Sequence, residues 1–267
     1  MNTVIEVQNL RAQYGDTVVL HNVSTTIYES EIKVILGTSG CGKTTFLKNT
    51  IGLIQPASGT VRIFGKEMGE LDEKPTEKIL RNIGMMYQYG ALLGSLRVCD
   101  NVALPLRMHT RLPEAVISEI VRVKLEQVSL GRAYNLFPDE LSGGMRKRVA
   151  IARALVMDPP ILFCDEPSAG LDPVTARGLD ELLLQMKEEL QITIVVITHE
   201  TESIRRIADS ILFLERGRAV YDGSLTEALA MNEGPVRDFF DTKYTAGNTG
   251  TQKKQPLFTF EGYNLWP

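Results

Sequence analysis

Hydrophobic positions along this chain follow two different periods. Thr3 to Leu10 alternates between apolar and polar residues (Val4, Ile5, Val7, Leu10), and Val18 to Ile27 adds two further short strand-like pieces. Alternation buries one face of a strand and leaves the other wet. Linked strands of this kind at the start of the chain predict an antiparallel sheet. Ile32 to Leu36, Ile83 to Tyr87 and Ile161 to Cys164 are short apolar runs of buried-strand character. Ile192 to Ile197 is a near-continuous β-branched run, as in a central parallel strand covered on both faces. Thr60 to Phe64, Ile211 to Leu214 and Ala219 to Tyr221 predict further strands, and Ser224 to Met231 a closing helix.

The helical period takes over elsewhere. Ile117, Ile120, Val121, Leu125 and Val128 share one helix face, as do Ala176, Leu179, Leu182, Leu183, Met186 and Leu190 in a helix opened by Pro173. Between Ala91 and Met157 no strand pattern appears. That block, about residues 91–157, predicts a helical subdomain inserted into an α/β core. Its first apolar segment, Leu92 to Leu106, is interrupted by Pro105, and part of it is left over for a partner helix.

Candidate chemistry sharpens this outline. Gly37-Thr38-Ser39-Gly40-Cys41-Gly42-Lys43-Thr44 fits the phosphate-binding P-loop pattern, with a strand before it and a helix, Thr45 to Gly52, after it. Glycines let backbone N–H groups turn inward around an anion, and the helix start adds partial positive charge. Lys43 is placed to reach the β- and γ-phosphates, and the Thr44 hydroxyl to hold Mg²⁺. The fold class predicted is therefore a P-loop NTPase with an N-terminal antiparallel β subdomain and the inserted helices. Cys41 beside Lys43 at a helix N-terminus either favours the thiolate, so that alkylation would inhibit nucleotide turnover and ATP would protect, or is a small loop filler without reactivity.

Strand ends supply the remaining groups. Asp165 and Glu166 close the strand that starts at Ile161, and two adjacent acids there are costly unless they bind something positive. With a P-loop in the same chain, Asp165 is the expected Mg²⁺ carboxylate, and Glu166 is placed to polarise a water against the γ-phosphate. His199 follows the central strand and can donate to a γ-phosphate oxygen. Gln88 follows another strand; it either reaches the metal or the attacking water, or ties down a loop. Tyr14 is either a platform for an adenine ring or a turn tyrosine half covering a strand.

Leu141-Ser142-Gly143-Gly144-Met145 opens a helix running to about Met157. Ser142 is a good N-cap and the glycines leave N–H groups uncovered, which makes a second anion site. The basic run Arg146-Lys147-Arg148 inside that helix is expected to be a solvated face.

Composition excludes several classes. The chain has 267 residues, 43% hydrophobic and 23% charged, with net charge −4. That is ordinary globular composition, with no basic excess for nucleic acid and no polybasic anchor. Three widely spaced cysteines, Cys41, Cys99 and Cys164, fit a reducing compartment better than a disulfide framework. No signal-peptide core and no apolar run long enough to span a bilayer is expected, so any membrane part comes from another chain. Residues 242–267 form a C-terminal extension: a Gly/Thr/Asn/Gln/Lys-rich linker from Thr245 to Gln255, then Phe258, Phe260, Tyr263 and Trp266. Those aromatics either dock on a second subunit or another partner, or pack on their own domain or stay disordered.

Five elements now stand in order: P-loop, strand-end glutamine, Leu-Ser-Gly-Gly, Asp-Glu and strand-end histidine. Together they resemble the nucleotide-binding subunits of ABC transporters, over about residues 3 to 240. The resemblance implies that Gly37 to Thr45 bind ATP and that Tyr14 stacks on its adenine. It implies that Gln88 senses Mg²⁺ and the membrane partner. Leu141, Ser142, Gly143, Gly144 and Met145 would then be the signature, Ser168 to Asp172 the D-loop and His199 the switch. Two copies would pack head to tail, each ATP lying between the P-loop of one and the signature of the other. Met145 departs from the usual glutamine, Cys41 from a commoner serine or alanine, and Cys164 from an aliphatic. Leu-Ser-Gly-Gly-Met-Arg-Lys-Arg, Gln88 to Leu93 and Asn101 to Arg107 resemble the Mla-type, MCE-associated lipid transporters in particular. That resemblance implies a peripheral subunit at the cytoplasmic face of an inner membrane, moving phospholipids with permease subunits, an MCE-domain lipid-binding protein and a small accessory subunit. A different importer, or regulation of envelope machinery through a membrane partner, is the alternative.

Overall fold

The computed structural model describes residues 2–70 and 73–241. The C-terminal extension lies outside the described residues. Two sheets organise the rest. The first is antiparallel in the order β2-β1-β4-β5, built from β1 (Thr3–Tyr14), β2 (Thr17–Tyr28), β4 (Ser58–Ile63) and β5 (Lys66–Glu67). The second runs β10-β9-β3-β8-β7-β6. Its members are β3 (Ile32–Leu36), β6 (Ile83–Met86), β7 (Ile161–Asp165), β8 (Thr193–Ile197), β9 (Ser210–Glu215) and β10 (Arg218–Ser224). All of its pairings are parallel except β9 with β10.

The near-continuous apolar runs are explained by burial on both faces. Along β3, Ile32, Val34 and Leu36 join one core cluster while Ile35 joins the other. Leu162 and Cys164 on β7 part company with Ile161 and Phe163 in the same way, as do Ile194 and Val196 on β8 with Val195 and Ile197. One side is covered by the antiparallel sheet and helix α1 (Lys43–Thr50), whose Phe46 and Leu47 are buried there. The other is covered by helices. Each fully buried Phe, Ile or Leu of these layers contributes about 1.5–3 kcal/mol.

Several elements differ from the sequence expectation. Val18 to Ile27 belongs to one strand rather than two pieces, because bulges absorb its polar interruptions: Asn9 and Asn22 take positive φ and the β1–β2 register shifts around them. Tyr14 is the last residue of β1, not part of a connection. β6 is an edge strand. The charged stretch after β5 holds a short helix, as its sequence leads one to expect, here α2 (Glu73–Leu80). Pro105 lies inside α3 (Val98–His109), where burial of Val98, Val102, Ala103 and Leu106 carries the helix through the lost backbone bond. With α4 (Glu114–Gln127) and α5 (Gly143–Ala154), α3 fills the block between β6 and β7, and its apolar face is continuous with the core below the parallel sheet. After β7 come α6 (Pro173–Leu190), the unpredicted α7 (Thr201–Ile207), α8 (Leu225–Leu229) and the unpredicted α9 (Pro235–Phe240).

Candidate functional site

Four neighbouring parallel strands deliver their following residues to one edge. Ile35, Ile197 and Asp165 are paired across β3, β8 and β7, and Met86 of β6 pairs with Cys164 one step below. The P-loop, Thr198-His199, Asp165-Glu166 and Gln88 therefore all emerge at the carboxyl ends of adjacent strands. This is where open α/β sheets bind ligands.

The P-loop cannot take another sequence without moving. Gly37 has φ +146°, and a Cβ there would lie 2.1 Å from the Leu214 carbonyl oxygen. Gly42 has φ +107°, and its Cβ would lie 2.6 Å from Leu20 Cδ2. Gly42 also caps α1 without a side-chain bond, and no acidic residue stands in the first turn, so the amide end is free to take an anion. Lys43 arcs back over the loop, its Nζ donating to the Gly37 carbonyl at 2.8 Å and the Thr38 carbonyl at 3.2 Å. Thr38, Ser39 and Gly40 are exposed, as is Thr44, while Thr45 is buried. Cys41 is not the exposed thiolate its neighbours promised. Its side chain turns into the core, and burial pushes the thiol above its ordinary value more than Lys43 pulls it down.

Glu166 leaves β7 with φ +47°, a left-handed turn that breaks the strand and swings its side chain toward β8. His199 Nδ1 lies 2.8 Å from Glu166 Oε1, and Thr198 Oγ1 donates to Oε2 at 3.2 Å. Burial pushes the Asp165 carboxyl upward and Glu166 pushes it further, against Lys43, Lys147 and Lys48. Two adjacent carboxylates, one held in that unfavourable state, together with the hydroxyl of exposed Thr44, are a donor set that fits Mg²⁺ bound jointly with phosphate oxygens.

Gln88 is half-buried in the turn after β6, between exposed Tyr87 and Tyr89. Tyr14, 47% exposed, stands at the end of β1 with an uncovered ring. Beside Gln88 runs a groove of about 410 Å³, lined among others by Tyr87, Ala91, Leu93, Leu104 and Met108.

The Leu141–Met145 segment sits elsewhere. Ser142 caps α5, accepting from the Met145 N–H at 3.3 Å. Gly144 must be glycine for contact rather than for φ: a Cβ there would lie 2.4 Å from Thr175 Cγ2 at the start of α6. Asp172 caps α6 in turn, its Oδ1 accepting from the N–H groups of Val174 and Thr175 at 3.1 Å; the Thr175 hydroxyl, which donates to its Oδ2, and then these N–H groups hold its carboxyl below the usual range. Ser168 is buried with no partner for its hydroxyl among the described residues. Leu141 and Met145 pack in the helical cluster, whereas Cys41 and Phe46 pack in the cluster under the antiparallel sheet. The two glycine-rich helix starts thus pack on opposite sides of the parallel sheet.

Sequence reasoning missed two groups. Thr198 orients Glu166 but looked like an ordinary strand end. Lys147 is buried, 7% exposed, where a solvated face was expected; its Nζ donates to the Gln88 carbonyl at 2.7 Å and the Glu166 carbonyl at 2.9 Å. Arg146 and Arg148 likewise spend donors on the carbonyls of Leu141, Val128 and Gly178. The available signal was the helical spacing, since Lys147, Gly144 and Ile151 share the face that carries the core.

Residues 20–169 match the family model described as ABC transporter. The chain is 40% identical to a probable ribonucleotide transport ATP-binding protein, mkl, of Mycobacterium leprae, covering 90% of this chain and 70% of that one. It is 36% identical to the intermembrane phospholipid transport system ATP-binding protein MlaF of Haemophilus influenzae, covering 88% and 89%. It is 35% identical to the methionine import ATP-binding protein MetN of Clostridium tetani, covering 94% and 79%. Among solved structures, cbiO1 of Clostridium perfringens, part of an ABC transporter complex, superposes with a TM-score of 0.80 at 31% identity over 86% of this chain and 92% of that one. The dimeric ATP-binding cassette MJ0796, bound to ADP and Pi after hydrolysis, superposes with a TM-score of 0.75 at 33% identity over 83% and 98%. The chain belongs to the ABC transporter family, in which it is an ATP-binding and ATP-hydrolysing subunit.

Proposed function

We propose that this subunit drives phospholipid movement between an inner and an outer membrane, and that it does so as a head-to-tail dimer. The observation that supports the catalytic half is the single sheet edge at which Lys43, Asp165, Glu166, Thr198 and His199 converge. On this reading ATP lies with its phosphates in the loop from Gly37 to Thr45 and its adenine on Tyr14. Thr44, Gln88 and Asp165 would hold Mg²⁺, which when bound supplies positive charge against phosphate oxygens. Glu166 accepts a proton from the water that attacks the γ-phosphorus; the bond to the bridging oxygen breaks, and ADP leaves with inorganic phosphate. His199 orients Glu166 and donates toward a γ-phosphate oxygen. Ser142, Gly143 and Gly144 of a second copy close the pocket from the other side, with Leu141 and Met145 anchoring that segment and Ser168 and Asp172 shaping the seam. The separation of the two anion ends supports this, because one copy holds them on opposite sides of its sheet. ATP binding then favours the closed pair and hydrolysis releases it.

No helix among the described residues is long and apolar enough to cross a membrane. On this reading the substrate passes through other chains, and the groove beside Gln88, with Leu93 and Met108 exposed, suits an apolar helix from such a permease. Likeness to MlaF, together with the Met145-Arg146-Lys147-Arg148 form of the signature, supports a lipid cargo, an MCE-domain protein and a small accessory subunit at the cytoplasmic face of the inner membrane. Similar identity to MetN favours a second reading, an importer of a small solute. Purifying the native complex and analysing its chains and bound lipids by mass spectrometry separates them. Co-purified phospholipid with an MCE-domain chain is the expected result; a solute-binding protein and no lipid would overturn it.

A further inference from the structure

Helix α5 holds carbonyl oxygens with its cations. Besides the two bonds from Lys147, Arg153 donates to the Ala91 carbonyl at 2.7 Å and the Gly90 carbonyl at 2.6 Å. The loop from Gln88 to Ala91 is thus pinned at both ends by the helix that Ser142 caps. Lys147 alone reaches further, to the carbonyl of Glu166. That carbonyl belongs to a residue in the left-handed region, where a long side chain needs outside help to stay.

The location is expensive. Lys147 is 7% exposed and forms no hydrogen bond to a carboxylate among the described residues. An apolar side chain of similar length would fill the space without a buried charge. Stability is therefore a poor reason for a lysine here, and geometry is a better one.

We propose that Lys147 is a positioning residue for ATP hydrolysis: it ties the signature helix to the backbones of Gln88 and Glu166, so that the aim of Glu166 at the attacking water follows the stance of α5. The inference rests on the roles given above to Glu166 and Gln88. One ammonium joins three elements that no other described side chain joins: the helix behind Ser142, the turn beside the permease groove and the strand end behind Glu166. A signature engaged by a second copy then places Glu166 correctly in its own pocket.

The test compares Lys147→Met, Lys147→Arg and Glu166→Gln in the full chain within its native complex, reading kcat, KM for ATP, ATP affinity and Tm. Lys147→Met should lower kcat by about 10- to 100-fold through misplacement, with KM and ATP affinity within about twofold of the parent. Lys147→Arg, whose fork spans two carbonyls, should keep kcat within about threefold. If Lys147→Met does not fold, Lys147→Gln replaces it, its shorter amide reaching one carbonyl at most. An unchanged kcat in Lys147→Met (or its replacement), beside an inactive Glu166→Gln, overturns this inference alone. So does a parallel loss of kcat, ATP affinity and Tm in both lysine variants. Full hydrolysis by Glu166→Gln would remove the role of Glu166, and this inference with it.

Discussion

Glu166 Oε1 and His199 Nδ1 stand 2.8 Å apart, each at the end of a neighbouring parallel strand. On the proposed mechanism, the pairing fixes the carboxylate meant for the attacking water and the ring meant for the γ-phosphate as one unit. Groups that act as a unit are not additive when removed. Glu166→Gln should slow ATP hydrolysis by about 10²–10⁴ while leaving ATP bound. His199→Ala should also slow it, and the double variant should be little worse than Glu166→Gln alone. Steady-state kinetics on the four proteins measure this; multiplicative losses would show two independent roles.

Asp165 offers a stability test with a definite sign. Its carboxyl is pushed up in the folded protein, chiefly by burial and then by Glu166. The folded state therefore binds its proton more tightly than the unfolded chain does. The stability this gives is present below the unfolded value and is lost as pH rises through the folded one. Asp165→Asn should accordingly raise the Tm of the nucleotide-free protein at neutral pH, and the advantage should shrink as the medium is acidified. The same variant should weaken Mg²⁺-ATP binding. A Tm that falls at neutral pH would contradict the account.

Gly144 is tested by a size exchange. Gly144→Ala drives a methyl against Thr175 Cγ2, 2.4 Å away, and should displace the Leu141–Met145 segment and cut kcat severalfold. Thr175→Ser removes that methyl and keeps the hydroxyl bonded to Asp172. The double variant should recover most of the activity. Failure of Thr175→Ser to rescue would mean that the glycine is needed for another reason.

The cysteines should label in the order of their burial. Cys164 is fully buried, with its thiol pushed up to about 12, and Cys41 is buried with its thiol also raised. Cys99 is only half-buried. Timed alkylation of the native protein near neutral pH, followed by mass spectrometry, should modify Cys99 first and leave ATPase activity intact until the core cysteines react. Rapid labelling of Cys41 would contradict its inward orientation.

What the sequence disclosed and what it hid divide along physical lines. The strands of the parallel sheet were legible because burial on both faces leaves a near-continuous apolar run, as in β8 and, around Lys33, in β3. The P-loop was legible because its glycines answer to steric demands that leave few alternatives, as at Gly37 against Leu214. Short α7 and α9 were hidden because one or two turns hold too little periodicity to register. β2 was cut in two on paper because a bulge at Asn22 resembles a break in alternation. Charge misled twice, and in one direction. Lys147 looked solvated and Cys41 looked activated, because local neighbours advertise polarity while tertiary packing decides exposure.

The most direct test concerns the shared pocket. Lys43→Ala and Ser142→Arg are each prepared as pure proteins, each unable to hydrolyse ATP, and then mixed. A head-to-tail pair formed from one of each has one ruined pocket and one built from an intact Lys43 and an intact Ser142. The account predicts that the mixture regains ATP hydrolysis that neither component has. A mixture that forms mixed dimers and stays inactive would contradict it.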